Sequence, residues 1–366
     1  MRSNGTPRLS AAVAAAVVLA VLAPTSAAAD PTPAPGTPVC QIRDDRLTEI
    51  SGLLATDDGY VVVNDGADDE ARRRIFFLDV DCAVTRTLRY PSRPRDTEDL
   101  AVGADGTIWV ADVGDNDRSR QTVAVWKLAP GAARPVLHRM AYPDRPHDAE
   151  AMLVTGDGRP VIVSKYSGVL YAPSTALRAG ATVPLAQVGQ VRLPASTTSN
   201  PFSVLGRTAV TGAATAPGGD RVVLRTYADA FEFDVTGGDV IAALTSGTPR
   251  VTPLPDEPQG ESITYSRDGR SLLTVSETAD QPAGTRPSIL RYPVAAPSPV
   301  PPSPAATAAP PTASAAGGRV AGDRADRADR GGTPMVAAGA VGLGLLVAGL
   351  LVLVRWRRRS RPDRPR

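Results

Sequence analysis

Short apolar runs separated by turn signals recur through residues 39–294. Five segments share one pattern: an apolar strand, a turn built on Asp-Gly or Gly-Gly, and a second apolar strand that ends in a polar or charged residue. They begin at Ser51, Glu98, Glu150, Thr211 and Glu261, and in each the turn glycine follows eight residues after that position. Paired strands repeated at intervals of 47, 52, 61 and 50 residues predict an all-β fold, a β-propeller.

A third apolar strand follows each hairpin, at 74–80, 122–128, 168–173, 230–235 and 288–294. Five copies favour five blades, whereas six blades would need one further, unrecognised repeat. The last copy has only three strands, so we expect residues 38–44 to supply its outer strand and close the ring. A β-sandwich is the structural alternative, but it does not predict the recurring eight-residue offset.

The two ends of the chain differ from this pattern. Residues 335–354 are twenty uncharged, almost wholly apolar residues, the length of a membrane-spanning helix, and an arginine-rich tail follows them. These features predict a single-pass protein of the cell membrane, with its N-terminal domain extracellular, its C-terminus cytoplasmic and its last helix in the lipid bilayer. The remaining parts of the chain are a predicted signal peptide (1–29), a disordered lead-in (30–38), a disordered Pro/Ala-rich stalk (295–334) and the basic tail (355–366).

Cys40 and Cys82 are the only cysteines, and both lie in the part predicted to be extracellular. An oxidising compartment favours a disulfide between them, across the junction of the last and first blades. Two free buried thiols are the alternative. The net charge of +2 reflects the basic tail and linker and gives no sign of nucleic-acid binding.

In a propeller, the starts of the first strands and the ends of the second strands share one face, and many acidic side chains fall there. Carboxylates gathered from several blades need a cation or basic residues to neutralise them, and calcium prefers oxygen ligands in flexible geometry. The candidate calcium ligands are Asp65, Asp96, Glu98, Asp112, Asp115, Glu150 and Glu261.

Three interpretations of this face remain open: a structural ion network with Lys165 and Arg225, a cation site, or a catalytic centre. If the protein is an enzyme, the acid–base residues would be Glu98, Glu150, Glu261 and His147. With two histidines in the chain, a multi-histidine zinc site cannot be built. Neither a G-x-S-x-G elbow nor a phosphate-binding P-loop motif occurs in the sequence.

The Asp-x-Glu pattern before two blades (96–98 and 148–150) and the Asn64-Asp65 pair after a second strand carry a family resemblance. They resemble bacterial phytase-like ("esterase-like phytase") and uncharacterised secreted actinobacterial propeller domains. The resemblance implies a calcium-dependent propeller that binds a ligand or hydrolyses a phosphoester. Because no nucleophile–base constellation is apparent, we favour an extracellular binding module, with a calcium-dependent phosphoesterase as the alternative.

Overall fold

The computed structural model describes residues 33–295, which fold into five four-stranded antiparallel blades. The first strand, β1 (Thr37–Gln41), belongs to the last blade, and blade 1 begins with β2. The strands of blade 1 are β2 (Ile50–Thr56), β3 (Gly59–Asn64), β4 (Arg74–Leu78) and β5 (Val84–Arg89). Those of blade 2 are β6 (Asp99–Val102), β7 (Ile108–Asp112), β8 (Val123–Leu128) and β9 (Val136–Ala141).

The other three blades follow the same order. Blade 3 has β10 (Ala149–Val154), β11 (Pro160–Ser164), β12 (Val169–Pro173) and β13 (Thr182–Gln190). Blade 4 has β14 (Val210–Thr215), β15 (Arg221–Thr226), β16 (Asp229–Asp234) and β17 (Arg250–Pro253). Blade 5 has β18 (Gln259–Tyr265), β19 (Ser271–Glu277) and β20 (Ser288–Pro293). Two short helices, α1 (Ser203–Gly206) and α2 (Val240–Ser246), lie in connections.

The N-terminal strand closes the ring, as the sequence predicts. β1 pairs antiparallel with β20 and so becomes the outer strand of blade 5, and it begins at Thr37, two residues before the predicted domain boundary. The disulfide between Cys40 and Cys82 joins this strand to the β4–β5 turn of blade 1. The fold therefore has five blades, and neither a six-bladed ring nor a sandwich.

The five turn glycines explain the constant offset within the repeats. Each of the glycines at 59, 106, 158, 219 and 269 has a positive φ, a conformation that an L side chain rarely adopts. A glycine is therefore needed where the first strand turns into the second. One feature has no counterpart in the predicted pattern: the outer strands β9 and β13 pair in parallel and join blades 2 and 3 into one eight-stranded sheet.

The core consists of apolar layers between neighbouring blades. Among the described residues there are five such clusters, one at each junction, and each takes buried side chains from both flanking blades. Trp126 between blades 1 and 2 and Phe231 between blades 3 and 4 are examples. Burial of these layers against one another is the main favourable term that holds the ring together.

At the centre, the inner strands β2, β6, β10, β14 and β18 contact one another around the axis. Asp99, fully buried at the start of β6, binds three of these strands. Its carboxylate accepts hydrogen bonds from the backbone N–H groups of Leu100 (2.8 Å), Met152 (2.8 Å) and Ala213 (3.1 Å), which belong to blades 2, 3 and 4.

No helix between residues 33 and 295 is long and apolar enough to cross a membrane. The predicted signal peptide, the apolar segment 335–354 and the basic tail lie outside the described residues, as does nearly all of the predicted stalk.

Candidate functional site

The acidic residues of the repeats converge on the face where the inner strands begin and the second strands end, here called the acidic face. In four blades the register between these two strands shifts at the first position of the repeat, which marks a β-bulge. Bulges re-aim side chains and are frequent beside functional sites. The bulged positions are Ser51, Glu150, Thr211 and Glu261.

Three carboxylates meet at the boundary of blades 1 and 2 on this face. One oxygen from each of Asp65, Asp96 and Glu98 lies within 4.8 Å of the other two, and we call these residues the carboxylate triad. Asp65 directly follows β3, and Asp96 and Glu98 directly precede β6. Thr97, between the two acids of blade 2, donates a 2.5 Å hydrogen bond to the carbonyl of Asn64 and so fastens the two segments together.

Two glycines provide the room for the triad. A Cβ atom on Gly114 would overlap the carboxylates of Glu98 and Asp96, and one on Gly66 would overlap that of Asp96. Both positions lie in loops that follow second strands. Close approach of the backbone to the carboxylates therefore depends on the absence of a side chain at these two positions.

The triad is electrostatically strained in the absence of a counter-ion. Burial and the neighbouring Asp65 raise the pKa of Asp96 from 3.8 to about 8. Burial, followed by Asp65 and Asp96, raises the pKa of Glu98, which is only 4% exposed, well above its ordinary value. Near neutral pH Asp96 therefore holds a proton unless a cation takes its place.

A second group of acids lies beside the triad. Lys165 forms a buried ion pair with Glu150, and Tyr227 donates a 3.2 Å hydrogen bond to Oε1 of Glu261. Gln259 bridges Glu261 and Glu277 through its side-chain amide. The other oxygens, Oε2 of Glu150 and Oε2 of Glu261, are buried and without a hydrogen-bond partner in the structure.

Lys165 is the positive group of this second cluster. Burial by itself would lower the pKa of its ammonium group, but attraction from Glu150, Tyr227 and Glu261 raises it overall. One lysine therefore faces several acidic side chains, more than it can neutralise if all of them ionise.

The structure brings Asp112 and Asp115 near the triad but uses their oxygens elsewhere. The carboxylate of Asp112 accepts from the backbone N–H of Asp96 (3.0 Å), from Arg120 (2.9 Å) and from the indole of Trp126 (3.1 Å). Asp115 accepts from the backbone N–H groups of Ser119 and Arg120 and orders the loop after β7. Both residues support the segments that carry the triad, and neither lies within it.

His147 lies outside the triad in an aromatic cluster. Its Nε2 atom is 3.0 Å from Asp144 and 2.9 Å from the hydroxyl of Tyr171, and the ring of Tyr142 packs edge-on against it. The imidazole is therefore already engaged by a carboxylate and a phenol.

Arg225, the second basic residue near the end of a second strand, is engaged by an acid that directly precedes β18. Its guanidinium forms a fully buried ion pair with Glu257 at 2.7 Å and donates to the carbonyl of Ser262. Gly260 leaves the space for it. Sequence reasoning missed Glu257, Gln259 and Tyr227 as members of these networks; only their proximity in the sequence to Glu261 and Arg225 could have pointed to them.

The arrangement suits a hard cation better than acid–base chemistry. The triad offers carboxylate oxygens from two loops, neighbouring acids add unpartnered oxygens, and the surrounding glycines keep the space open. Oxygen ligands in irregular geometry are those that calcium takes.

Comparison with family models and with curated proteins finds no match. Among solved structures, virginiamycin B lyase from Staphylococcus aureus is similar with a TM-score of 0.33 and 10% identity over 66% of each chain. A gluconolactonase from Xanthomonas campestris gives a TM-score of 0.37 and 15% identity, covering 66% of this chain and 72% of its own. A luciferin-regenerating enzyme gives a TM-score of 0.40 and 11% identity, covering 68% of this chain and 78% of its own.

This chain thus spans just under two thirds of the length of the lyase. A WD40-repeat structure, that of RRP9, is also similar, with a TM-score of 0.37 and 11% identity. These solved structures are propeller-like and include both enzymes and a repeat domain. Their likeness concerns the fold alone, and no activity is transferred from them to this chain.

Proposed function

We propose that this protein is an extracellular binding module in which a divalent cation, calcium in the first place, sits at the carboxylate triad and helps to bind a ligand on the acidic face. The observation that carries the proposal is the convergence of Asp65, Asp96 and Glu98 within 4.8 Å with no basic side chain in the triad. Three carboxylates so close are costly unless they are protonated or share a cation.

Calcium is favoured over other metals by the kind of donor. The triad and its neighbours Glu150 and Glu261 offer oxygen atoms only. Zinc and copper sites use histidine or cysteine, whereas the cysteines of this chain form a disulfide and His147 contacts Asp144 and Tyr171.

Binding is favoured over turnover because the groups that catalysis would use are engaged. His147 is held in its aromatic cluster, and Glu150 is paired with Lys165. A calcium-dependent phosphoesterase, which the resemblance to phytase-like propellers implies, is the second candidate. The feature in its favour is Oε2 of Glu261, a carboxyl oxygen beside the triad that accepts no hydrogen bond among the described residues and would be free to take or give a proton next to a bound cation.

Cation binding is tested by thermal unfolding of the full-length protein in detergent, with calcium or with a chelator. Calcium at about 100 times its Kd should stabilise the fold by about 2.7 kcal/mol. Glu98→Gln should remove most of this gain. Asp58→Asn serves as the matched control, because Asp58 is exposed in the β2–β3 turn on the opposite face.

Equal unfolding with calcium and with chelator would contradict the cation proposal and leave the acidic face as an ion network. A screen of phosphomonoesters and phosphodiesters separates the two functions. Calcium-dependent hydrolysis that is lost in Glu98→Gln and kept in Asp58→Asn would favour the phosphoesterase over the binding module.

The location at the cell surface is part of the same proposal. The Cys40–Cys82 disulfide supports an oxidising compartment, and residues 335–354 have the composition of a membrane anchor. Cysteines introduced as Ser303→Cys and Ser360→Cys allow labelling of intact cells with an impermeant reagent. We expect labelling at position 303 only; labelling at 360 but not at 303 would reverse the orientation.

A further inference from the structure

A cleft of about 310 Å³ opens beside the acidic face, between the loop after β3 and the loop after β5. Four arginines line it, together with a single acid, Glu70. We call it the arginine cleft; its arginines are Arg73, Arg74, Arg89 and Arg93. By strand direction it opens on the same face of the propeller as the triad.

Two of these arginines are held opposite each other by the sheet. Arg74 on β4 and Arg89 on β5 are direct cross-strand partners. Like charges in that position repel each other. Among the described residues Glu70 alone forms ion pairs with both, 3.6 Å from Arg74 and 3.3 Å from Arg89. Since 66% of the Glu70 side chain is exposed, this shared ion pair is weak and replaceable.

The other two arginines connect the cleft to the loop that carries Asp65. Arg73 donates to the backbone carbonyls of Ala67 and Asp68, and Arg93 pairs with the exposed carboxylate of Asp68 at 2.7 Å. Neither contact satisfies all the N–H donors of a guanidinium.

The charge count indicates the ligand. Four guanidinium groups face two carboxylates, Glu70 and Asp68, which leaves two positive charges (four minus two). The side chains of Arg89 and Arg93 are 74% and 61% exposed, so their donors can turn towards a ligand. Planar guanidinium groups bind phosphate and similar oxyanions through pairs of hydrogen bonds.

We propose that the arginine cleft binds a doubly charged tetrahedral oxyanion, a phosphate or sulfate group of the ligand that this face of the propeller engages. An entering dianion would replace Glu70 between Arg74 and Arg89 and match the excess charge of the cleft. This site uses no residue of the carboxylate triad and does not depend on a cation there.

The test is calorimetric titration of the full-length protein in detergent with inorganic phosphate, sulfate and malonate, at low salt and with a chelator present. We expect phosphate or sulfate to bind with one-to-one stoichiometry and malonate to bind more weakly. Arg89→Gln and Arg93→Gln, both at exposed positions, should each weaken binding by about tenfold. Arg86→Gln is the matched control, because Arg86 lies on the same strand as Arg89 but stacks on Phe77 outside the cleft.

Several outcomes would overturn the assignment: no binding of phosphate or sulfate, binding of malonate as tight as theirs, or equal losses in Arg86→Gln and Arg89→Gln. Glu98→Gln separates this proposal from that of the cation. If phosphate binding requires calcium and disappears in Glu98→Gln, the anion is held at the triad and the arginine cleft is not its site. Retained binding in Glu98→Gln and in chelator supports the cleft even if the triad binds no cation.

Discussion

Asp96 and Glu98 are two residues apart, just ahead of β6, and both carboxylates belong to the triad. Thr97, between them, fixes the segment to blade 1 through its hydrogen bond to the carbonyl of Asn64. Asp65, one residue after Asn64, is thereby brought to the other two acids. A three-residue pattern and one hydrogen bond thus account for most of the triad.

The protonation of Asp96 gives the first prediction. Between the unfolded pKa of 3.8 and the folded value of about 8, the calcium-free folded protein holds a proton that the unfolded chain has released. The stabilising contribution of Asp96 to the unfolding free energy is therefore present at low pH and is lost as pH rises towards 8. Asp96→Asn cannot ionise, so its stability relative to wild type should increase from about pH 5 to about pH 9, measured by urea unfolding in chelator.

A stability difference between Asp96→Asn and wild type that stays constant across this pH range would contradict the raised pKa. Saturating calcium offers an internal control, since it should hold Asp96 ionised and reduce the pH dependence of wild type.

Gly114 gives the second prediction at this scale. Its φ is not in the left-handed region, so alanine is allowed by the backbone, but the added Cβ would overlap the carboxylates of Glu98 and Asp96. We expect Gly114→Ala to weaken calcium binding by about tenfold or more in calorimetry. Gly156→Ala is the matched control, because nothing lies within 4 Å of a Cβ there. Similar calcium affinities in both variants would show that the triad does not need this space.

The first strand, β1, depends on partners far away in the sequence. It pairs with β20, and the Cys40–Cys82 bridge, with a sequence separation of 42, ties it to blade 1. In the chain-entropy account, a loop of this length stabilises the fold by about 3–4 kcal/mol, because the crosslink restricts the unfolded chain.

We therefore expect the double variant Cys40→Ser, Cys82→Ser to lose about 3–4 kcal/mol of unfolding free energy in urea titrations without reductant. Wild type treated with reductant under denaturing conditions and refolded without oxidation should match it. An unchanged midpoint in both samples would mean that the bridge does not hold the closure together.

The blade hairpins could be predicted because their signals are local. Alternating apolar positions and a glycine at a fixed offset mark each of them, and all five turn glycines have positive φ. The parallel pairing of β9 with β13 could not be predicted, since it depends on how blades 2 and 3 are placed and no local signal encodes it. The same limit applies to the site: Asp112 and Asp65 lie at the same offset within their repeats, but in the fold Asp112 ends β7 and binds Arg120, whereas Asp65 follows β3 and joins the triad.

Asp99 connects blades that are distant in the sequence and so acts on the whole propeller. Its fully buried carboxylate accepts backbone N–H groups from blades 2, 3 and 4. Replacing Asp99 with alanine would leave the N–H groups of Met152 and Ala213 buried without acceptors. Each such group lowers the unfolding free energy by about 1–3 kcal/mol.

Asp99→Ala should therefore lower the unfolding free energy by about 2–6 kcal/mol in urea titrations. Asp58→Ala, at an exposed turn, should change it by less than about 0.5 kcal/mol. If the two variants unfold alike, the centre of the propeller is not held by this carboxylate.

The propeller presents two charged features on one face, the carboxylate triad and the arginine cleft. Its blades are held together by the hydrogen bonds of Asp99 at the centre and by the pairing of β1 with β20 where the ring closes. Opposite charges side by side would orient a ligand that carries both an anionic group and oxygen ligands for a cation. We propose that the triad binds that cation.

A crystal structure of the protein grown with calcium tests this claim most directly. We predict a calcium peak bound by oxygens of Asp65, Asp96 and Glu98 at about 2.3–2.6 Å, and no such peak at the triad in Glu98→Gln crystals grown in the same way. A wild-type triad that stays without a metal at saturating calcium, with its carboxyl groups bonded to one another, would contradict it.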